Sequence, residues 1–510
     1  MASCGSSANK TSNAEKKATA DPTKYAETIT LDELKDMLYV YSSDEFEGRE
    51  TGEPGQKKAV EYLRTQYKDL GVSSPAKIND YFQNVPLERS QVAKSTITVN
   101  DKSFAPFDHQ FCTSGGSTMS LKADEIVYVG FGVESDDYSD YKGLDVKDKI
   151  VLMKAGEATN EDGTYVTSGN TEPTKWTNGR QALSSKRNLV RDKGAKAALI
   201  LDENLYPRYA GFFSRMAESG STGRMSLKDN DRNMPFFMVD TEFAKSLHPT
   251  IANDNAPKSI ATQINIDIES ESESFSSENV LAYIQGSEKP DEIIVLSAHL
   301  DHEGVKDGNV YNGADDDGSG TIALLEIAEA FKEAQKNGDG PKRSLLFLHV
   351  TGEEKGLLGS RHYTDNDPVF PLENTVANLN IDMIGRIDPK RKSENRNYVY
   401  LIGSDKLSTE LHNVSEAVNS KYCNIELDYT FNDENDPNRY YYRSDHYNFA
   451  KNNVPVIFYF NGTHDDYHQP SDTADKIEYD LLENRTRLVF HTAWELANME
   501  DRIMVDKAEE

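Results

Sequence analysis

Cysteine is scarce in this chain: Cys4, Cys112 and Cys423 are the three in 510 residues. They form no CxxC pair, which excludes a thiolate zinc site or a disulfide framework as the organising feature. Long hydrophobic runs are missing too, so the sequence offers no transmembrane helix. Positive charge is in short supply. Lys and Arg number 56 against 86 Asp and Glu, a formal net charge of −30. That balance excludes nucleic acid as a partner and an anionic membrane surface as a docking site. What is present suffices for a core. Apolar residues make up 37% of the chain, with 26 Tyr and 20 Phe. At roughly 150 residues per domain, the length points to about three domains, or to one large domain carrying an insertion.

Residues 1–24 are small and polar and read as a flexible tether. The opening Met1-Ala2-Ser3-Cys4-Gly5-Ser6-Ser7 resembles the stub left when a bacterial lipoprotein signal is trimmed. That likeness sets an expectation: an exported, periplasmic or cell-envelope lipoprotein of a bacterium, anchored through Cys4. From residue 25 a main domain begins. Leu31, Leu34, Leu38 and Tyr39, then Ala59, Tyr62, Leu63 and Tyr67, have the spacing of apolar helix faces. The texture changes over 108–254, where short β-type runs at 126–131, 150–153, 197–201 and 234–239 predict an inserted β-rich domain. From 255 to 510 the main domain resumes. Residues 264–269 and 280–285 read as a strand pair. Apolar strands then alternate with helices, predicting an α/β fold with a mostly parallel central sheet and helices on both faces.

The chemistry lies at the ends of those strands. The run 293–298 ends in His299-Leu300-Asp301, and 345–350 in Thr351-Gly352-Glu353-Glu354. The run 376–381 ends in Asp382, and 456–460 leads to a loop with His464 and His468. In open α/β sheets the C-terminal strand edge is where ligands bind. A further element, Asp315-Asp316-Asp317, opens a helix. One Asp there would be a cap, but three adjacent carboxylates repel one another unless a cation sits among them. Two His and several carboxylates without Cys suit zinc or a related divalent ion at a hydrolytic centre. Five candidate ligands are enough for two ions sharing one carboxylate.

His299-x-Asp301, the segment Gly313–Gly320, Glu353-Glu354, Asp382 and His468-Gln469-Pro470-Ser471-Asp472-Thr473 resemble the co-catalytic dizinc exopeptidase family, which includes leucine-type aminopeptidases and glutamate carboxypeptidases. Residues 108–254 resemble its inserted protease-associated domain, chiefly through 127–132 and 144–151. The resemblance implies two Zn²⁺ per chain and hydrolysis of the N-terminal bond of peptides by a hydroxide bridging the ions. It implies Asp316 as the bridge, Glu354 and His468 on one ion, and His299 and Asp382 on the other. It gives Asp301 the task of holding the second nitrogen of His299, and Glu353 that of general base and acid. It also implies a cis peptide between Asp316 and Asp317. Tyr441, three residues before Ser444, would steady the oxyanion, with Tyr440 and Tyr442 adjacent. His464 competes with His468, and the resemblance implies His468, because the family's pattern has the ligand His four residues before an Asp-Thr, here Asp472-Thr473. His302 is placed at the rim.

The resemblance leaves carboxypeptidase activity open, since Arg386, Arg439 and Arg443 lie near motif segments. A single-zinc glutaminyl cyclase-like enzyme is disfavoured by the insert and the full ligand set. A non-catalytic receptor-like ectodomain would have lost ligands, and none is lost. The partners expected are peptides; the sequence leaves the oligomeric state unknown.

Overall fold

The computed structural model describes residues 20–113, 118–218, 223–228 and 234–507. Cys4, and with it the expected lipid anchor, lies outside the described residues. Among the described residues no helix is long and apolar enough to cross a membrane. The chain divides into two compact units, Met1–Val85 with Ser277–Glu510, and Pro86–Ser276. It passes between them at 85–86 and at 276–277.

The first unit is built on a mixed sheet. Its strand order is Glu426–Asp428, Tyr398–Ile402, Val456–Phe460, Thr375–Ile381, Lys289–His299, Arg343–Val350, Ser272–Ile284 and Phe82–Ser90. The four central strands, from Val456–Phe460 to Arg343–Val350, run parallel. Tyr398–Ile402 and Ser272–Ile284 flank them antiparallel. Arg343–Val350 is buried along its whole length, as a strand covered on both faces must be. The alternation of side chains explains the covering. Ile294, Leu296 and Ala298 pack into one cluster with Leu34, Leu63, Ile327 and Leu488. Those partners belong to the helices Leu31–Tyr41, Pro54–Leu70, Gly320–Lys336 and Tyr479–Asn498. Ile293 and Val295 pack the other way, with Tyr363 and Phe449. The α/β architecture with both faces covered is therefore observed.

Helix signals in the sequence act where they stand. The Thr30 side chain accepts from Glu33 N and donates to the Glu33 carboxylate at 2.6 Å, starting Leu31–Tyr41. Pro54 opens the next helix and Gly71, at φ 73°, closes it. The first helix, Thr23–Ala26, begins two residues before the expected domain start at 25, and Tyr25 and Ile29 are buried.

The second unit corrects three expectations. Its limits, Pro86 and Ser276, lie outside 108 and 254. Strand Lys258–Glu269 is not the partner of 280–285; it pairs with Lys94–Val99 and Met119–Tyr128 in the second unit's sheet. The strand 280–284 pairs with Arg343–Val350 instead. The unit is also less purely β than its short runs suggested. Met119–Tyr128, Ile150–Lys154, Ala197–Leu201 and Phe236–Val239 form a parallel ladder. Helices Gly179–Asp192, Tyr206–Glu218 and Thr241–Leu247 connect or follow these strands. Strand Arg224–Leu227 stays out of this sheet and pairs with residues 87–90.

Candidate metal centre

Because the central strands are parallel, their C-terminal ends meet on one edge. That edge gathers His299, Glu353, Glu354 and Asp382, with His468 on the loop after Val456–Phe460. The three adjacent aspartates do three different jobs. The Asp315 carboxylate accepts from Gly385 N at 2.6 Å and lies 3.1 Å from His464 Nε2. The Asp317 carboxylate accepts from the main-chain N–H groups of His299, Gly320 and Met383 at 3.2, 3.0 and 3.0 Å. Asp316 alone turns its carboxylate into the cluster, and the Asp316–Asp317 peptide is cis, as the resemblance implied. Asp472 steadies the turn by accepting from the N–H groups of Asp315 and Asp316 at 3.0 and 3.2 Å.

Two groups of donors share Asp316. On one side His299 Nε2 lies 3.1 Å from Asp316 Oδ1 and 3.6 Å from Asp382 Oδ1. On the other, His468 Nε2 lies 3.2 Å from both Asp316 Oδ2 and Glu354 Oε2. The five side chains expected as ligands are thus brought together, and His464 is engaged elsewhere with Asp315. A divalent cation fits what these atoms lack. His299 Nε2, both ring nitrogens of His302, Asp316 Oδ2 and Glu354 Oε1 are buried without a hydrogen-bond partner. Buried polar atoms are rarely left so. His299, Asp316 and Asp382 each offer one atom within 4.8 Å of the others, as do His302, Asp316 and Glu354.

The electrostatics say the same. Burial alone would lower the two imidazoles, but the carboxylates facing them, Asp316 with Asp382 or Glu354, override it. His299 is held well above its ordinary range and His468 at about 10. Against the cost of burial, the surrounding histidines hold Asp316 well below the usual carboxylate range. Glu354 falls to about 2: burial and Asp316 oppose this, but the imidazoles of His302 and His468 beside it overcome both. Glu353 behaves oppositely. Burial drives it well above the carboxylate range, aided by the charges of Glu354, Asp382 and Asp445 and opposed by His299. A set of carboxylates this close demands compensating positive charge.

Three expected details change. The carboxylate of Asp301 does not hold His299. The Nδ1 of His299 lies 3.0 Å from the main-chain oxygen of Asp301, which leaves Nε2 as the free lone pair. The Asp301 carboxylate instead accepts from Glu353 N at 3.1 Å and from Thr51 Oγ1 at 2.7 Å. Secondly, His302 is not at a rim but fully buried. Its Nδ1 stands 2.9 Å from Glu354 Oε1, and its ring lies where a side chain on Gly313 would go. Thirdly, Tyr440 rather than Tyr441 lines the small cavity shared by Asp316, Glu353 and Asp382. Tyr440–Tyr442 is a 3₁₀ turn, which points successive side chains in different directions. The Tyr441 ring packs against His446 and Tyr447. The same cavity is lined by Arg443, Ser444 and Tyr467.

Sequence reading also missed Arg49, a buried guanidinium that fastens the approach to the cluster. It donates to the main-chain oxygens of Leu300 at 3.1 Å, Asn312 at 2.7 Å, Gly313 at 2.9 Å and Tyr41 at 3.3 Å. Its signal was a basic residue between Gly48 and Glu50, which nothing local explains.

Residues 279–493 match the description of peptidase family M28. A probable glutamate carboxypeptidase of Arabidopsis thaliana is 35% identical over 105 residues, covering 21% of this chain and 14% of that protein. A glutamate carboxypeptidase 2 homolog of Caenorhabditis briggsae is 25% identical over 345 residues, covering 58% and 42%. A probable leucine aminopeptidase 2 of Aspergillus oryzae is 24% identical over 379 residues, covering 72% and 62%. The chain thus spans less than half the length of the first two. Among solved structures, an aminopeptidase from Aneurinibacillus sp. strain AM-1 aligns at TM-score 0.48 and 18% identity, over 96% of this chain and 99% of that one. The Bacillus subtilis zinc aminopeptidase BSAP aligns at 0.46 and 18%, over 93% and 98%. The stretch 279–493, which carries every member of the carboxylate–imidazole cluster, is the part of the chain that matches peptidase family M28.

Proposed function

We propose that this protein is a zinc-dependent exopeptidase that removes the N-terminal residue of peptides. The observation that carries the reading is the paired donor set, His299 and Asp382 on one side of Asp316, Glu354 and His468 on the other. Two zinc ions held there would supply the positive charge that polarises a peptide carbonyl and acidifies water. The chain's own residues do the rest. Glu353, which shares a cavity with Asp316 and Asp382, takes the proton of the attacking water and passes it to the leaving amine. Asp301 orients Glu353 through the main chain. Tyr440 faces the cavity and is the group we assign to the oxyanion. The carbonyl of Asp301 fixes the His299 tautomer.

A second reading, release of the C-terminal residue, has one supporting observation. Arg443 is the cation among the residues lining the cavity that holds Asp316, Glu353 and Asp382, and it stacks over Tyr440 at 5.0 Å. A guanidinium in that position suits a substrate carboxylate. The deciding experiment is zinc analysis of the purified protein with a panel of amino-acid anilides and short peptides, free and N-blocked. Cleavage confined to free-amine substrates supports the aminopeptidase; cleavage of N-blocked peptides from their C-terminus replaces it with the second reading. The second unit is read as a protease-associated domain and the chain as lipid-anchored through Cys4. Palmitate labelling that survives Cys4→Ser would sink the anchor.

A further inference from the structure

His302 follows the pair His299 and Asp301 in sequence, and its surroundings are those of a ligand rather than of a packed core residue. It is completely shielded from solvent. The ring lies close beside Gly313, where an added Cβ would come within 2.5 Å of its Cγ. Its main-chain N–H reaches Arg49 O at 3.3 Å, so backbone and ring are both fixed. A buried imidazole of the core normally spends at least one nitrogen on a hydrogen bond, as His349 does with Tyr67 at 2.7 Å. Neither nitrogen of His302 has such a partner. What Nδ1 faces is carboxylate: Glu354 Oε1 at 2.9 Å and Asp316 Oδ2 at 3.7 Å. The two oxygens of Glu354 are divided between two imidazoles, since Oε2 lies 3.2 Å from His468 Nε2.

We propose that His302 is a metal ligand, acting with Asp316, Glu354 and His468, so that the Glu354 side of the centre carries four protein donors and the Asp382 side three. The proposal rests on the metal-centre reading above and adds a ligand to it. The unequal count has a functional meaning. Zinc with four protein ligands is closed, whereas zinc with three keeps a position open. The Glu354 side then holds its ion as a fixed part of the site. The Asp382 side, formed by His299, Asp316 and Asp382, is where substrate and water have access. The ion on the Glu354 side should be the harder to remove.

Cadmium-113 NMR on protein with nitrogen-15-labelled histidine tests this without any substitution. Three imidazoles coupled to cadmium, those of His299, His302 and His468, are expected, and His302→Gln should remove one coupling. Two couplings in the unsubstituted protein overturn the role of His302 and leave the metal centre standing. No coupling at all overturns both. Chelator titration is the second measurement. One zinc per chain should resist a chelator concentration that strips the other, and His302→Gln should lower the resistant ion's affinity at least tenfold. Equal affinity for that ion in His302→Gln and the unsubstituted protein overturns the proposal. The unfolding midpoint of zinc-free His302→Gln, set beside that of the zinc-free unsubstituted protein, separates lost metal from lost fold.

Discussion

The carboxylate of Asp301 accepts the main-chain N–H of Glu353 at 3.1 Å, while the imidazole of His299 turns to the Asp301 carbonyl rather than its carboxylate. Asp301 therefore acts on the proton-transfer residue through its side chain and on the histidine through its backbone. This makes a sharp prediction. Asp301→Asn keeps an oxygen to receive the Glu353 N–H, and the Thr51 hydroxyl can turn to accept from the new amide. Asp301→Ala removes both contacts. Asn should keep zinc and lose activity by less than about tenfold; Ala should lose at least about 10²-fold. Equal losses of zinc in both would show instead that the carboxylate serves His299.

The adjacent glutamates should separate cleanly. Glu353→Gln keeps shape and removes the proton acceptor, so turnover should fall by ~10²–10⁴-fold with zinc content nearly unchanged. Glu354→Gln removes a charge that faces His302 and His468. Zinc and activity should then fall together and recover partly at high zinc. Zinc loss from the Glu353 variant alone would reverse the assignment.

The tyrosine turn gives a third test. Tyr440→Phe should lower kcat with little change in zinc content, by ~10²-fold or more if its hydroxyl steadies the oxyanion. Tyr441→Phe should act only through packing near His446 and Tyr447. The reverse result would restore the assignment that the sequence pattern alone suggested.

How much of this was legible in the sequence depends on the range of the forces involved. The strand ends were readable because an apolar run followed by His, Glu or Asp announces both a buried strand and its exposed edge. The middle position of Asp316 was readable only by resemblance, since nothing local distinguishes three equal carboxylates. Their separation comes from the N–H groups of Gly385 and Met383, some 66–70 residues away. The same holds for His302, whose burial depends on Gly313 and Arg49. It holds for Lys258–Glu269, whose partners lie at 94–99 and 119–128. Alternation revealed that strand but could not say which sheet it joins. In the Tyr440–Tyr442 turn, motif spacing chose a residue and backbone direction chose its neighbour.

Arg49 should prove a structural clamp with consequences for the metal. Its guanidinium serves four main-chain oxygens, two of them at Leu300 and Gly313, beside His299 and Ala314. Arg49→Met would leave those oxygens without these donors in a buried site. The expected cost is at least about 3 kcal/mol of stability in urea unfolding, with weakened zinc binding. Lysine should rescue little, because one ammonium cannot reach the fork of acceptors. A stability change under about 1 kcal/mol would contradict the clamp.

Glu326 gives a pH prediction away from the metal. It lies on the helix Gly320–Lys336, largely buried, and accepts from Thr30 N at 3.3 Å. Burial pushes its carboxyl up to about 8, helped by the nearby charges of Glu33, Glu329 and Glu483 and opposed by the Thr30 hydrogen bond. In the unfolded chain the same group titrates near its ordinary value of 4.5. Between these values the native state holds a proton that the unfolded state has released. The slope of stability with pH is therefore negative: the native state loses up to about 1.4 kcal/mol per pH unit from this group as pH rises from about 4.5 to 8. Below that window both states are protonated, and the contribution is level. Glu326→Gln keeps the neutral amide throughout and should abolish this part of the dependence. Its stability should match the unsubstituted protein near pH 4.5 and exceed it increasingly toward pH 8. Urea unfolding of both proteins across pH 4.5–8.5, at equal zinc load, measures the difference directly. Parallel curves would mean that Glu326 ionises in the native state as it does in the unfolded chain.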